Sequence, residues 1–214
     1  MLDRIIVPEL LDSLGPDDPD AMRSRSDLRR LDHFLGGSRW IERVLAGHRS
    51  HQKLRIVEIG AGEGILCARL ARAFPEVSVT GLDLAPRPPH LPDSVGWVSG
   101  DFFQSGEIFE ADVVVGNLIL HHFDESSLKK LAAHIDRACL LIFSEPWRDH
   151  RPLFFSHWAA PFVGRVTRHD MPASIRAGFR ARELPEALGL SAPNWIIRES
   201  SHWRGVLRMV AWRA

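Results

Sequence analysis

The 214-residue chain is long enough for one domain with a sizeable core, and lysine plus arginine balance aspartate plus glutamate at 27 each. Nothing in this balance indicates nucleic acid or an anionic membrane as the default partner. The charge is nevertheless uneven, because residues 1–20 hold six acids and one base, whereas residues 148–182 hold seven arginines and two aspartates. These two segments are interpreted either as solvated surface or as partners for each other.

The cysteines and the first residues indicate a cellular compartment. Cys67 and Cys139 each lie in an apolar periodic stretch without metal-ligand spacing, so both are predicted to be small core residues of a protein from a reducing compartment. Residues 1–20 have too short an apolar run and too many acids for a signal peptide, and no stretch approaches the length of a membrane span. A soluble, cytoplasmic protein without a metal site is therefore expected.

Two helices are predicted before the first strand. Apolar residues recur at helical spacing between Asp20, the expected N-cap, and Gly36-Gly37, and again over residues 39–47. We assign residues 1–50 to an N-terminal helical segment and residues 51–214 to one α/β domain. The helical segment is expected either to close over the ligand site or to mediate a dimer.

From residue 54 onward, short β-branched runs alternate with helical stretches, a pattern typical of a parallel sheet covered on both faces. Strands are predicted at residues 54–59, 77–83, 95–99, 112–118 and 139–143, and helices at residues 64–74 and 125–138. Two last strands, residues 195–200 and 205–212, are separated by only a few residues. That short connection allows antiparallel pairing and excludes a parallel crossover.

A proline-rich stretch stands where a helix should connect the second and third strands. The sequence "APRPPHLPDS" (85–94) has prolines at positions 86, 88, 89 and 92. Proline has no amide hydrogen to donate within a helix, so this stretch is predicted to be a stiff, extended loop.

The sequence "VEIGAGEG" (57–64) predicts a strand that runs into a glycine turn and a helix. Such a turn brings backbone amides close to a ligand. Dinucleotide enzymes use G-x-G-x-x-G, whereas Gly60, Gly62 and Gly64 give G-x-G-x-G, which makes a nicotinamide enzyme the least favoured interpretation. Glu58 would repel a pyrophosphate and attract an ammonium or sulfonium group. A turn that serves only helix–strand packing remains the alternative.

Acidic residues mark three consecutive predicted strands. Asp83, in "GLDL", lies 25 residues after Glu58, where a carboxylate can accept hydrogen bonds from both ribose hydroxyls. Asp101, in "SGDFF", precedes Phe102, a pair that suits the amino group and ring of adenine. Either acid alone is better explained as a turn residue, but the ordered set favours a nucleoside without phosphate.

These residues resemble the class I, Rossmann-like S-adenosylmethionine-dependent methyltransferases. "VEIGAGEG" is similar to their first motif, "LDL" and "GDF" to the acids after the next two strands, and "ADVVVGNLILHHF" (111–123) to the fourth-strand motif. The resemblance covers residues 54–214 and implies an α/β fold with a seven-stranded, mostly parallel sheet and an antiparallel C-terminal hairpin. The proline loop departs from the family, in which a helix follows the ribose-binding acid.

The resemblance also implies a site for S-adenosyl-L-methionine. The positions that match the family's cofactor motifs are Glu58, Gly60, Ala61 and Gly62 for the methionine part, Asp83 and Leu84 for the ribose, Asp101 and Phe102 for the adenine, and Asn117 and Leu118 near the sulfonium.

The implied activity is methyl transfer to a small molecule, with oxygen of a phenolic or carboxylate metabolite as the expected acceptor. The chain has no tyrosine, so a catalytic base would be a histidine or an acid. His121 matches a position where histidine is common in the family and is the candidate base or substrate contact, with a packing role as the alternative. Glu145, in "FSEPW", either orients a substrate or caps the segment that follows.

Residues from about 147 to 190 form an insertion where the family carries its substrate lid. An aromatic stripe at positions 154, 155, 158 and 162 either lines a pocket or belongs to the core. "RVTRHD" and "SIRAGF" resemble a pattern in a subgroup of small bacterial methyltransferases, and guanidinium groups suit an anionic or planar acceptor. The candidates here are His169 as a catalytic residue, and Trp158, Arg168 and Arg176 as substrate-binding residues.

Two other functions stay open. An RNA or protein methyltransferase would use the arginines to contact phosphates, but the zero net charge and Leu118-Ile119 after Asn117, instead of a Pro-Pro-aromatic sequence, argue against it. A non-catalytic S-adenosylmethionine-binding protein is favoured by the proline loop and opposed by the three acids. We expect a small-molecule acceptor, no nucleic-acid or membrane partner, and a monomer or homodimer.

Overall fold

A seven-stranded sheet lies at the centre of the computed structural model, which describes residues 2–48 and 54–214. In chain order the strands are β1 (Arg55–Ile59), β2 (Ser78–Asp83), β3 (Val95–Ser99), β4 (Val113–Asn117), β5 (Leu140–Pro146), β6 (Trp195–His202) and β7 (Val206–Arg213). Their order across the sheet is β3-β2-β1-β4-β5-β7-β6. Strands β1 to β5 pair in parallel, and β7 runs antiparallel to β5 and β6. The predicted fold class is confirmed.

Helices cover both faces of this sheet. They are α1 (Pro19–Leu35), α2 (Gly37–Gly47), α3 (Ile65–Ala73), α4 (Glu125–His134), α5 (His150–Ala159), α6 (Arg165–Ala177) and α7 (Glu183–Ala187). Alternate β1 side chains pack on opposite faces, Ile56 with α2 and α3, and Val57 with α4 and α7. Within the described ranges, no helix combines the length and apolarity needed to cross a membrane.

The N-cap of the first helix lies two residues before the predicted one. Asp18, rather than Asp20, is the N-cap, and its carboxylate accepts hydrogen bonds from the amides of Asp20 and Ala21 at 2.8 and 3.2 Å. Pro19 occupies the first helical position, where a missing amide hydrogen costs nothing. Gly36, with φ of 71°, ends α1, and α2 begins at the next residue. The predicted domain boundary between residues 50 and 51 lies outside the described residues and stays a prediction.

The proline-rich segment forms a loop, as predicted, and is fastened by one arginine. The Arg87 guanidinium donates hydrogen bonds to the carbonyls of Leu91, Pro92 and Val95 at 3.2, 2.8 and 2.6 Å. The buried Leu91 side chain packs against Gly64, where an added Cβ would lie only 2.6 Å from it. The loop therefore supports the glycine turn without a helix.

Two core predictions are wrong. Cys67 is buried as expected, but Cys139 is exposed and its thiol donates to the Asp112 carbonyl at 3.1 Å, because it lies just outside the start of β5. The aromatic stripe is also on the surface, with 59, 59, 69 and 77% of Phe154, Phe155, Trp158 and Phe162 exposed. The α5 helix buries Pro152 and Ser156 instead, so its smaller side chains form its packed face.

Candidate active site

The predicted cofactor residues lie along one edge of the sheet. Parallel strands end at the same edge, so β1, β2, β3 and β4 place there the residues at or just after their carboxyl ends. These are Glu58, Gly60, Ala61 and Gly62 at β1, Asp83 and Leu84 at β2, Asp101 and Phe102 after β3, and Asn117 and Leu118 at β4.

The glycine turn after β1 is tied to the end of β2. Gly60 and Gly62 have φ angles of 63° and 54°, a conformation that favours glycine, and a side chain at Gly60 would collide with Ile119. The Asp83 carboxylate accepts hydrogen bonds from the amides of Gly62 at 2.7 Å and Ala85 at 2.9 Å. One carboxylate thus fixes the turn and ends β2 at the same place.

Glu58 is a buried carboxyl group beneath this turn. It is 4% exposed, and the Cys67 thiol of α3 donates to it at 2.8 Å. Burial, together with the nearby carboxylates of Asp32 and Asp83, raises the pKa of Glu58 to about 8 although the thiol contact opposes this. The group is therefore largely protonated at neutral pH in the structure as it stands.

The edge beyond β2 is more open. Leu84 is 80% exposed, and the Asp101 carboxylate accepts a hydrogen bond from the Phe103 amide at 3.0 Å, which caps a short 3₁₀ turn. Phe102 belongs to an aromatic cluster, with its ring 4.4 Å from that of Phe103 and 5.5 Å from that of Phe123. This cluster provides an apolar surface next to an acidic group.

Two features of the edge fit a bound nucleoside that carries an amino acid. A side chain built at Gly62 meets no atom of the described residues within 4 Å, so the turn faces open space. The Oδ1 atom of Asn117 is buried and has no hydrogen-bond partner within the described ranges. The open glycine turn leaves room for a ligand, and Asn117 Oδ1, which lies against Gly37 of α2 at the same sheet edge, lacks within the described part of the chain the hydrogen-bond donor that a buried acceptor normally has.

Helix α1 covers the ends of β1 and β4. Asn117 donates from Nδ2 to Asp32 of α1 at 2.8 Å, and Ser38 donates to the same carboxylate from its amide at 3.2 Å and its hydroxyl at 2.7 Å. Arg29 reaches Glu63 in the glycine turn at 2.6 Å. Of the two roles considered for the N-terminal helices, these contacts favour closure over the site.

His121 follows β4 in a 3₁₀ turn and is fixed by Glu145 of β5. Glu145 accepts from the amides of Ile119, Leu120 and His121 at 3.0, 2.9 and 3.2 Å, and from His121 Nδ1 at 2.9 Å. These four contacts use both carboxylate oxygens, so Glu145 caps the preceding turn and orients the imidazole. Leu118, with φ of 61°, starts this turn in a conformation that costs a non-glycine residue energy.

The other ring nitrogen of His121 faces the N-terminal segment. Its Nε2 lies 3.5 Å from Oε1 of Glu9, which also accepts a hydrogen bond from the Ser174 hydroxyl of α6. Burial alone lowers the pKa of His121, but the contacts with Glu145 and Glu9 outweigh it and raise the pKa to about 9. His121 is therefore an imidazolium at neutral pH, held between two carboxylates.

The same cluster has the spacing of a cation site. The ligand atoms of Glu9, His121 and His122 lie within 4.8 Å of one another. A protonated imidazole has no free lone pair, however, and an ion pair with Glu9 already accounts for the charge on His121. We interpret the cluster as a hydrogen-bonded ion pair.

The predicted residues of the insertion have other neighbours than His121 among the contacts of the described residues. His169 Nδ1 is 2.9 Å from Asp170, and Arg168 donates from Nε to the Ala160 carbonyl at 3.0 Å. Trp158 lies on the exposed face of α5. Arg176 and His169 line a cavity of about 380 Å³ between α6 and the N-terminal segment. Their roles toward a substrate stay predictions.

Two residues that shape the site, Glu9 and Asp32, were not predicted from the sequence. Glu9 and Asp32 come from the segments before β1, and Asp170 accepts hydrogen bonds from the amides of Leu10 and Leu11 at 2.8 and 3.1 Å. The uneven charge was the available signal. Pairing between the two charged segments is present in part, since Asp20 also contacts Arg165 at 3.1 Å.

Comparison with known proteins gives matches to methyltransferases. The model of the O-methyltransferase domain family matches residues 39–141. Acetylserotonin O-methyltransferase 3 of Oryza sativa subsp. japonica is 34% identical over 88 residues, which is 40% of this chain and 24% of that protein. Malonyl-[acyl-carrier protein] O-methyltransferase of Priestia megaterium is 28% identical over 102 residues, covering 44% of this chain and 37% of that protein. The chain thus spans well under half the length of these relatives.

Solved structures share the fold across most of the chain. The plantazolicin methyltransferase BpumL, in complex with a triazolic desmethylPZN analog and SAH, superposes with a TM-score of 0.70 at 13% identity and 92% coverage of both chains. Magnesium protoporphyrin IX methyltransferase (ChlM) from Synechocystis PCC 6803, with bound SAH, superposes with a TM-score of 0.60 at 17% identity. The superposition covers 95% of this chain and 91% of that one. Together with the ordered strand-end motifs and the match over residues 39–141, these superpositions support the predicted resemblance to the class I, Rossmann-like S-adenosylmethionine-dependent methyltransferases.

Proposed function

We propose that the protein transfers a methyl group from S-adenosylmethionine to an oxygen atom of a small-molecule acceptor held beside His121. The observation that carries this proposal is the placement of His121. It follows β4 directly after Asn117 and Leu118, at the same sheet edge as the glycine turn and the three acids, and Glu145 fixes its ring. A nucleoside site and a positioned imidazole therefore share one edge.

Each part of the edge has a proposed role in holding the cofactor. Glu58 and the turn from Gly60 to Gly62 contact the methionine part, and Asp83 with Leu84 contacts the ribose. Asp101 and Phe102 contact the adenine, and Asn117 and Leu118 lie near the sulfonium. The open turn, the buried unsatisfied Oδ1 of Asn117 and the aromatic surface at Phe102 support these roles.

The cofactor supplies a methyl group that is already activated by a sulfonium. The protein's own task is then to align the acceptor oxygen with that group and to exclude water, and alignment alone contributes roughly 7–11 kcal/mol to the barrier reduction. We assign contact with the acceptor oxygen to His121 and its orientation to Glu145. Arg176, Arg168, His169 and Trp158 are proposed to act on the rest of the acceptor or on its entry, as groups of the insertion.

The names of the relatives support an oxygen atom of a small molecule as the acceptor. The curated relatives are named for acetylserotonin and for a malonyl group on a carrier protein, and both are O-methyltransferases. We propose a small metabolite rather than a nucleic acid, since the chain has no net charge and several arginines of the insertion are bound to protein groups. A cytoplasmic location and a monomeric or dimeric state stay predictions.

Isothermal titration with S-adenosylhomocysteine, with NADH as a control, tests the cofactor site. Saturable binding of S-adenosylhomocysteine without binding of NADH is expected, and a screen of phenolic and carboxylate acceptors for methyl transfer follows. Absence of S-adenosylhomocysteine binding would contradict the proposal. Tight binding without transfer to any acceptor would instead favour a non-catalytic binding protein, for which the contact between Glu9 and His121 is the structural argument.

A further inference from the structure

Residues 2–14, here called the strap, run across the side of His121 that faces away from Glu145. Arg4 donates to the carbonyls of Ala177 and Phe123, each at 2.8 Å. Farther along the strap, the amides of Leu10 and Leu11 donate to Asp170 of α6. Between these two attachments the Glu9 side chain reaches inward to His121. The strap therefore closes the space next to the imidazole.

The place that Glu9 occupies is complementary to a carboxylate. His121 Nε2 and the Ser174 hydroxyl both donate toward Oε1 of Glu9, and the Glu9 side chain is only 13% exposed. A cationic N–H and a hydroxyl that converge on one oxygen form a charge-assisted site for an anion. Glu145 on the far side of the ring keeps both nitrogens of His121 protonated as donors.

The strap is held more by polar contacts than by burial of apolar side chains. Its apolar side chains Ile5, Ile6 and Val7 are already 51, 39 and 43% exposed. Detachment of the strap would therefore expose little additional apolar surface of these residues to water. It is held mainly by hydrogen bonds and the Glu9 ion pair, which water and an incoming anion can replace. An element of this kind opens at a lower free energy than the sheet beneath it.

Space for a ligand body adjoins the strap. The cavity of about 380 Å³ is bounded by Ile5 and Val7 of the strap and by residues of α5 and α6, namely His157, His169, Pro172, Ala173 and Arg176. Apolar walls next to histidines and an arginine suit an apolar molecule that carries a negative charge. Withdrawal of the strap would join this cavity to the place of Glu9.

We propose that the methyl acceptor is a small molecule with a carboxylate, and that this carboxylate replaces Glu9 between His121 and Ser174 when the strap moves aside. This inference rests on the proposed methyl transfer and specifies its substrate class. An acceptor oxygen attacks the methyl carbon, the bond from that carbon to sulfur breaks, and the products are a methyl ester and S-adenosylhomocysteine. The anionic carboxylate and the cationic sulfonium both become neutral groups, so no proton has to be removed.

Because a carboxylate acceptor needs no deprotonation, an imidazolium suits the site. A neutral phenol must lose a proton, and a histidine that is already protonated cannot accept it. The raised pKa of His121, caused by its two carboxylate neighbours, makes it a donor to a carboxylate rather than a base. An acceptor carboxylate in place of Glu9 preserves the same charge pattern around the ring.

The test compares Glu9→Gln and Glu9→Ala with the control Asp3→Asn, which alters an exposed acid of the same strap away from the imidazole cluster. Benzoate and phenol serve as probes, with S-adenosylhomocysteine and EDTA present, and binding is followed by ¹H–¹⁵N NMR of the ¹⁵N-histidine ring signals assigned through His121→Asn. In the Glu9 variants benzoate should bind about tenfold more tightly than in the wild type and more tightly than phenol, because an internal competitor has been removed. The control should match the wild type.

The outcomes separate this inference from the proposed function. If S-adenosylhomocysteine binds but benzoate leaves the His121 signals of both Glu9 variants unchanged, or phenol binds better, the carboxylate assignment is overturned while the cofactor site stands. If S-adenosylhomocysteine binds to no form of the protein, the proposed function falls and the assignment falls with it. Benzoate binding at His121 that is equal in all variants would overturn the role given to Glu9.

Discussion

The cofactor edge and the acceptor side meet at His121 but are built in different ways. At the cofactor edge, each proposed contact lies at or next to the end of its own strand, and neighbouring strands bring the contacts together. On the acceptor side, Glu9, His121, Glu145 and Ser174 come from four separate parts of the chain. The first region is specified by local sequence and a common topology, whereas the second depends on how one surface segment is laid across the sheet.

Replacement of His121 gives the largest expected effect and tests where the two regions meet. His121→Asn should slow methyl transfer at least about 10²-fold while S-adenosylhomocysteine binds as before, because the side chain holds the acceptor in line with the methyl group. Rates measured with an acceptor found by screening, together with titration of S-adenosylhomocysteine, check this. His150→Asn, at an exposed position at the start of α5, is the control. Full activity in His121→Asn would contradict the role assigned to His121 in methyl transfer.

Replacement of Asp83 tests the cofactor edge by itself. Asp83→Ala removes the proposed ribose contact and the two amide hydrogen bonds that hold Gly62 and Ala85, so affinity for S-adenosylhomocysteine should fall about 100-fold. Titration calorimetry gives the dissociation constant. Asp93→Ala, at an exposed position of the proline loop, should bind like the wild type. Equal losses in the two variants would indicate a general disturbance of the loop rather than a lost contact.

The cofactor edge could be predicted because its signals are local. A glycine turn needs positive φ angles, a buried parallel strand needs a short β-branched run, and an acid at the strand end follows within a few residues. The order of Glu58, Asp83 and Asp101 therefore appears in the sequence in the order in which the strands stand in the sheet. The bounds of the predicted helices and strands differ from the structure at element ends, such as the N-cap at Asp18, where Pro19 sets the start of the helix.

The acceptor side could not be predicted in the same way. Nothing near Glu9 in the sequence indicates a partner that lies 112 positions away, and the strap has no helical or strand period over residues 2–9. The aromatic stripe in and just after α5 was expected in the core or in a pocket but is exposed, because helical spacing does not distinguish a buried face from an exposed one. The long-range contacts of such a surface segment are indicated in the sequence only by composition, here by the acids of residues 1–20 and the arginines of residues 148–182.

Release of a proton from Glu58 on cofactor binding would distinguish this buried carboxyl group of the cofactor edge from the carboxylates around His121. With its pKa raised by burial to about 8, Glu58 is mostly protonated at neutral pH, and an ammonium group nearby should ionise it. Binding of S-adenosylhomocysteine should then release close to one proton at pH 7, and affinity should rise with pH until about pH 8. Calorimetry in buffers of different ionisation enthalpy measures the proton count.

The variant Glu58→Gln should bind about tenfold more weakly and release no proton, whereas the exposed Glu107→Gln should behave as the wild type. Proton release that persists in Glu58→Gln would assign the titration to another group. The cofactor-free wild type should also lose stability as the pH rises from 4.5 to about 8, since the folded form holds a proton that the unfolded form has lost. Chemical denaturation at several pH values checks that slope, which Glu58→Gln should lack.

The smallest expected effect concerns the helix that covers the cofactor edge. Arg29 and Glu63 form an ion pair at 2.6 Å, but their side chains are 46 and 30% exposed, so solvent screens the pair. Arg29→Ala should therefore weaken S-adenosylhomocysteine binding by no more than about fivefold, since such pairs contribute roughly 0.2–1 kcal/mol. Asp32→Ala should weaken it more, because Asp32 contacts Asn117 and Ser38 within the covered site. If Arg29→Ala weakened binding more than Asp32→Ala, the exposed ion pair between Arg29 and Glu63 would hold α1 over the site, and the partly buried contact between Asp32 and Asn117 would not.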